Sequence, residues 1–166
     1  MRETSVKYPF LTRDVKIYEQ DNGHKIVLAY KEGGMVNVSS WVKTGSINEN
    51  DKNNGISHFL EHLMFKGTHA HKAGEFDRIL ESKGAVVNAA TSKDFTHYYI
   101  TIPSEYFNTA MELHSDMLTN PQIPRKELEK ERKVVLEEIS KDANTPSKKV
   151  YNNLNNMLYS HHPYKR

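Results

Sequence analysis

The stretch HFLEHLMFKGT, residues 58–68, decides how this chain is interpreted. Apolar side chains recur through it at helical spacing, and Gly67 follows as a stop signal. The same stretch holds His58, Glu61 and His62 in the order H-x-x-E-H. It therefore predicts a helix that either carries a metal site or exposes polar residues on a half-buried face.

The geometry of a helix favours the metal site. A helix turns about 100° per residue, so His58 and His62 differ by about 40° and lie one turn apart on the same side. Two imidazoles in that relation can reach one zinc ion at about 2.0–2.1 Å from each nitrogen. Glu61 lies on the adjacent side, where a general base can reach a metal-bound water without being a ligand. The apolar neighbours predict a largely buried segment, in which polar side chains need partners.

A third ligand is expected from a long charged segment later in the chain, because catalytic zinc takes three protein ligands and leaves the fourth position to water. Glu131 and Glu138 are two helical turns apart and differ by only about 20° on one stripe. Glu137 points elsewhere and has lysines at i−4 and i+4, as an exposed ion-pair position would. Glu138 is thus the predicted third ligand, and Glu131 could hold a histidine's other nitrogen. The alternative is that the whole run is a solvated charged face.

Composition excludes several function classes. The net charge is +2, with 23 basic residues interleaved among 21 acidic ones, so nothing resembles the basic stripe of a nucleic-acid binder. Cysteine is absent, so a metal must be held by histidines and carboxylates. No apolar run approaches the roughly 18 residues of a membrane span. The start of the chain is too polar for a signal peptide, which makes a cytoplasmic compartment the default expectation.

Short β patterns alternate with helical patterns along the chain, and Asn22-Gly23 marks a hairpin between two of the strands. The order of three strands, two helices, two strands and three helices predicts an α+β domain, with helices packed on a largely antiparallel sheet. The helix after Pro103-Ser104 is expected to be capped. The chain stops after HHPYKR without a closing element, which indicates that residues 1–166 are a domain that is cut short. The remaining predicted strands span 35–45, 85–92 and 96–103, and the remaining helices span 74–82, 105–120, 124–143 and 147–160.

These blocks resemble a known family. The H-x-x-E-H motif, followed about 76 residues later by a glutamate in ERKVVLEEI, is similar to the inverzincin peptidases of the pitrilysin family. The wording GISHFLEHLMFKGT, GAVVNAATSKDFTHYY and HHPY is closest to the β-subunit of the mitochondrial processing peptidase and to bacterial processing proteases. The blocks lie in the expected order over most of the chain.

The resemblance implies a zinc-dependent endopeptidase that hydrolyses extended peptides or presequences, on a processing-peptidase-like domain. It implies that residues 1–166 are one N-terminal zinc-binding peptidase domain, truncated in the sense that the other half of the family fold is missing from it. It implies one zinc ion held by His58, His62 and Glu138. It implies that Glu61 is the base that activates water and that Glu131 is a second catalytic glutamate near the metal. The other histidines are expected to be surface or packed residues.

The block VVNAATSKD, residues 86–94, resembles the edge strand on which the family lays its peptide substrate. An exposed edge offers unpaired N–H and C=O groups to an extended chain. Asn88 and Ala89 are the positions expected to make those backbone contacts. The alternative is an ordinary strand followed by a turn rich in Thr and Ser.

Members of the family resemble a clamshell of two related halves. The half that faces the zinc supplies an Arg/Tyr pair that stabilises the transition state. A second half-domain or a homologous subunit is therefore an expected partner, together with the peptide substrate. A non-catalytic peptide-binding or scaffold subunit of the same family is the main alternative, although such relatives typically lose a ligand or the base. A purely structural metal site is a third reading. The implied compartment is the bacterial cytoplasm, or the mitochondrial matrix if the source is eukaryotic.

Overall fold

A computed structural model describes residues 1–165. The chain divides into two compact units, Met1–Gly34 and Met35–Arg166. Within the described residues, no helix has the length and apolar content needed to cross a membrane. The prediction of a single domain over residues 1–166 stays a prediction.

The first unit is an antiparallel sheet of three strands in the order β1-β2-β3. The predicted hairpin is confirmed: Gly23 has φ +84°, and the Asn22 side chain accepts the His24 N–H at 3.0 Å. Strand β1 was not predicted, because its residues show little apolar alternation and it is defined by its pairing with β2. The strands are β1 (Arg2–Val6), β2 (Val15–Glu19) and β3 (Lys25–Leu28).

The second unit holds a separate antiparallel sheet in the order β4-β6-β5, with helices packed on it. The predicted α+β class is thus confirmed, with the difference that the strands form two small sheets. Each predicted helix and strand of this unit is present, with ends shifted by a few residues. The elements are β4 (Met35–Val42), α1 (Ile56–Met64), α2 (Glu75–Glu81), β5 (Val86–Thr91), β6 (Thr96–Pro103), α3 (Phe107–Thr119), α4 (Arg125–Asn144) and α5 (Pro146–Leu158).

The core lies on one face of this sheet. Strand β6 is its centre, and its residues alternate between buried and half-buried along the whole strand. Since successive side chains of a strand point to opposite faces, Tyr98, Ile100 and Ile102 face the helices. Phe76 and Leu80 from α2 complete the same cluster with residues of α3. The sheet is therefore the platform that fixes where α1 and strand β5 lie relative to each other.

Two local expectations are wrong. Helix α3 has no side-chain cap, because a 3-10 turn, Ser104–Tyr106, leads directly into it. Helix α1 is less buried than its apolar composition predicts, since Ile56 is 53% and Leu60 46% exposed. The apolar pattern identifies an amphipathic helix, but it does not show how much of the apolar face a neighbour covers.

The loop before α1 is tied to the end of strand β5. The Ser46 N–H donates to the Ser92 carbonyl at 3.3 Å, and the Ile47 N–H donates to the Lys93 carbonyl at 2.9 Å. Gly45 lies so close that a Cβ atom there would be 2.4 Å from the Ser92 oxygen. Only a residue without a side chain allows this approach of two backbones.

Gly45→Ala is expected to lower the free energy of unfolding by about 1–3 kcal/mol, because one of the two backbones must move. Gly34→Ala is the matched control, since a Cβ atom there meets no heavy atom within 4 Å. Urea denaturation of both variants measures the difference. Equal stabilities would show that the close approach at Gly45 is unimportant.

His114 is a buried histidine on α3. Its Nε2 lies 2.8 Å from the Ser40 hydroxyl, and its Nδ1 has no hydrogen-bond partner among the described residues. Burial lowers the pKa of His114 below 6.5, and the nearby His97 lowers it further. The folded chain therefore favours the neutral imidazole, which cannot take up a proton without charging a buried site.

The free energy of unfolding is expected to decrease as the pH is lowered, because of His114. An unfolded chain takes up a proton near pH 6.5 while the folded chain does not, so the free energy of unfolding decreases below that pH until the folded pKa is reached. His114→Gln removes this titration and should flatten the pH dependence between pH 7 and 5. Urea denaturation across that range measures both slopes, and identical slopes would contradict the assignment to His114.

Candidate active site

Helices α1 and α4 pack side by side and bring three potential metal ligands together. The Nε2 atoms of His58 and His62, one turn apart on α1, are 3.3 Å apart. Glu138 projects from α4, and its Oε2 lies 3.5 Å from the His58 Nε2 and 3.6 Å from the His62 Nε2. Two side chains from α1 and one from α4, which lies far along the sequence, thus meet through one donor atom each.

The separations of these atoms suit zinc. A tetrahedral zinc ion at about 2.0–2.1 Å from each ligand holds any two ligand atoms about 3.3 Å apart. The observed separations of 3.3, 3.5 and 3.6 Å are close to that value. Two imidazoles and one carboxylate are also a common donor set for catalytic zinc. The residues present therefore fit the metal, with the Glu138 side chain 47% exposed at the open side.

Glu131 contacts the His62 ring at Nδ1, the nitrogen that does not belong to the ligand group. Its Oε2 lies 3.2 Å from the His62 Nδ1, and its Oε1 accepts a hydrogen bond from the Lys66 ammonium at 2.9 Å. Burial acts to raise the pKa of Glu131, but the hydrogen bonds and charges of Lys66 and His62 outweigh it, so the pKa lies below its usual value. The ionised carboxylate accepts a hydrogen bond from the Nδ1–H of His62, and in that tautomer the Nε2 lone pair is left for a metal.

Glu61 does not belong to the ligand group and is held separately. One of its carboxylate oxygens accepts a short hydrogen bond from the Thr91 hydroxyl at the end of β5. Burial raises the pKa of Tyr98 to about 12, and the negative charge of Glu61 adds to that effect. The carboxylate is thus oriented by a neighbouring strand while its residue lies next to His62 on the helix.

Asn88 and Ala89 lie on β5, which is an edge strand because, among the described residues, it pairs with β6 alone. The Ala89 N–H donates to the side chain of Asn88 at 2.8 Å instead of to a neighbouring strand. Both residues line an open cleft of about 350 Å³ whose other wall includes Glu61 and His62. The structure therefore brings the predicted substrate strand beside the predicted base, across a cleft that His62 also lines.

Sequence reasoning missed two residues that support this site. Lys66 follows the end of α1 and contacts Glu131, and Thr91 contacts Glu61. Lys66 lies four residues after His62, so the helical repeat could have predicted that it lies on the same side as the proposed ligand. The contact of Thr91 with Glu61 could not be predicted in this way, because it depends on how β5 packs on α1. His97 stacks on the ring of Trp41, and His114 is buried beside Ser40.

Comparison with known proteins adds independent information. The family model described as Insulinase (Peptidase family M16) matches residues 25–166. The zinc protease YmxG of Bacillus subtilis is 38% identical over 149 residues, which is 89% of this chain and 36% of that protein. The β-subunit of the mitochondrial processing peptidase of Rattus norvegicus is 33% identical over 139 residues, which is 84% of this chain and 28% of that protein.

A crystal structure of a protease from Helicobacter pylori is similar in fold, with a TM-score of 0.86 and 36% sequence identity. The match covers 91% of this chain and 37% of that structure. This chain thus spans about a third of the length of the relatives that it matches. The family model and the structural match agree on one conclusion: the chain belongs to the insulinase family of peptidases.

Proposed function

We propose that this chain carries the metal centre of a zinc-dependent endopeptidase that hydrolyses extended peptides or presequences. The observation that carries the proposal is the meeting of the His58, His62 and Glu138 donor atoms at separations that suit zinc. The relatives named as zinc proteases support the same metal. One zinc ion per site is expected.

In this proposal, His58, His62 and Glu138 hold the metal. Zinc, when bound, lowers the pKa of a water molecule and polarises the carbonyl of the scissile bond. Glu61 takes the proton from the attacking water and passes it to the leaving amine. Thr91 occupies one oxygen of Glu61 by hydrogen bonding, so the other oxygen is available for proton transfer. Glu131 keeps the His62 ring oriented through Nδ1.

The open edge of β5 is the proposed binding site for the substrate backbone. An extended peptide could add to this edge as another antiparallel or parallel strand, with Ala89 offering an N–H and Asn88 a side-chain amide. Backbone pairing of this kind is tolerant of sequence, so it suits an enzyme that acts on many extended peptides. The cleft between the edge and Glu61 gives such a peptide access to the base.

A second half-domain or a homologous subunit is proposed as the partner that completes the clamshell and encloses the peptide substrate. The matched relatives are about three times longer than this chain, and some are named as subunits of larger assemblies. Electrostatic stabilisation of the transition state is usually the largest catalytic contribution, so residues from the partner are expected to raise activity strongly. The bacterial cytoplasm is the proposed compartment, and the mitochondrial names among the relatives keep the mitochondrial matrix as the alternative.

A non-catalytic scaffold or peptide-binding subunit is the alternative function. The relative named cytochrome b-c1 complex subunit 1 of Bos taurus, 33% identical over 141 residues, favours it. Against it, this chain keeps Glu61 and all three proposed ligands together. Binding of zinc without any peptide cleavage, even with the second half supplied, would support the scaffold.

Glu61→Gln is expected to retain zinc and to lower peptide cleavage at least about 100-fold, because the amide cannot take the proton from water. Zinc content is measured by metal analysis and cleavage with a quenched fluorescent peptide, with and without the second half of the protein. Glu112→Gln, an exposed position on α3, is the control and should cleave like the wild type. Unchanged cleavage in the Glu61 variant would reject its role as the base.

Glu138→Gln is expected to weaken zinc binding at least about tenfold, since an amide oxygen is a poorer ligand than a carboxylate. Glu137→Gln is the matched control, because it alters the adjacent exposed residue of the same helix and leaves the ligand group intact. Competition titration with a chromophoric chelator measures both affinities. Equal affinities in the two variants would remove Glu138 from the ligand set.

A further inference from the structure

The N-cap residue of helix α1 has no side chain that could accept a hydrogen bond from the first turn. This residue is Gly55, in the left-handed region with φ +91°, and the first turn holds no acidic residue. The first N–H groups of any helix lack partners within the helix. In this protein, a side chain from the preceding loop supplies the acceptors: Glu49 accepts the Gly55 N–H at 2.6 Å and the Ser57 N–H at 2.8 Å.

Both oxygens of Glu49 are used in this arrangement, and the residue is only 6% exposed. A buried carboxylate is tolerated only where donors surround it, and charge-assisted hydrogen bonds are about twice as strong as neutral ones. The positive end of the helix dipole stabilises the negative charge further. Glu49 therefore fixes the first turn of α1 both along its axis and in rotation, because the N–H groups of Gly55 and Ser57, two positions apart, are held at two separate oxygens.

The position of this contact matters for the metal site. Ser57 is followed directly by His58, so a shift of the first turn moves a proposed ligand. The loop that carries Glu49 is also bonded to the end of β5 through Ser46 and Ser92. Strand β5 in turn holds Glu61 through Thr91. Glu49 thus completes a closed connection between the helix, the loop and the strand.

We propose that Glu49 is a positioning residue for the metal site, acting through the first turn of α1. The inference rests on the proposed function for the identity of the metal. A residue that only added stability would change the folded fraction and leave the affinity of the folded site unchanged. Substitution of a positioning residue changes the separation of His58 from the other ligands. It therefore changes the affinity for the metal even in fully folded protein.

The test compares zinc affinity in Glu49→Gln with that of a core variant, Leu80→Val. Leu80 is fully buried on α2, in a core cluster that contains none of the three proposed ligands, so its truncation lowers stability without altering a ligand. Both proteins are measured at a temperature where circular dichroism shows each to be folded. Glu49→Gln is expected to bind zinc about 10–100-fold more weakly, the range typical of residues that orient ligands. Glu49→Asp replaces it if the glutamine variant does not fold.

Absorption of the Co2+-substituted protein should also change in Glu49→Gln, because the visible bands depend on ligand geometry, and should be unchanged in Leu80→Val. Wild-type affinity and spectrum in the Glu49 variant, or equal losses in both variants, would overturn the proposal.

A second measurement separates this inference from the proposed function. Amide hydrogen exchange without metal should be at least about tenfold faster at Gly55 and Ser57 and along α1 in Glu49→Gln, with α3 unaffected. If the wild type binds no zinc, the proposed function fails and hydrogen exchange alone decides the role of Glu49. Uniform exchange changes across α1 and α3 would show a general loss of stability and overturn the positioning role.

Discussion

The packing of α1 against α4 is the contact on which the candidate site depends. Each helix carries half of the arrangement: His58 and His62 on one, Glu131 and Glu138 on the other. Apolar packing gives α4 little to define this alignment, since Val135 is the one buried residue of that helix among the described residues. The ion pair between Lys66 and Glu131 and the hydrogen bond to His62 therefore help to set the register between the helices.

Much of this arrangement follows from periodicity in the sequence. The spacing of four residues on α1 and of seven on α4 places side chains on one face of each helix, which is why His58, His62 and Glu138 could be predicted to face one point. The hairpin at Asn22-Gly23 and the strands of the second sheet could likewise be predicted, from turn residues and from β patterns. Each of these features is local or depends on the repeat of one element, so a single sequence is sufficient to predict it.

The features that could not be predicted depend on contacts between elements. The sequence around Glu49 does not indicate that its carboxylate caps a helix six to eight residues later. That contact depends on the path of the loop, which local sequence does not define. The bond from Thr91 to Glu61 likewise depends on the packing of β5 beside α1. The exposure of Leu60 differs from expectation for the same reason: burial is a property of the neighbours that cover a side chain.

The bond between the Ala89 N–H and the Asn88 side chain has a consequence for selectivity among binding chains. An incoming strand that pairs at Ala89 must first displace an acceptor that is already in place, so the pairing exchanges one hydrogen bond for another and gains little from that bond alone. Net attraction must then come from the neighbouring contacts of the cleft. An unpaired strand edge invites association between identical molecules. Because the Ala89 N–H already has an acceptor, pairing between the edges of two molecules is less favourable at this position. A peptide bound as proposed would gain its affinity from further contacts in the cleft.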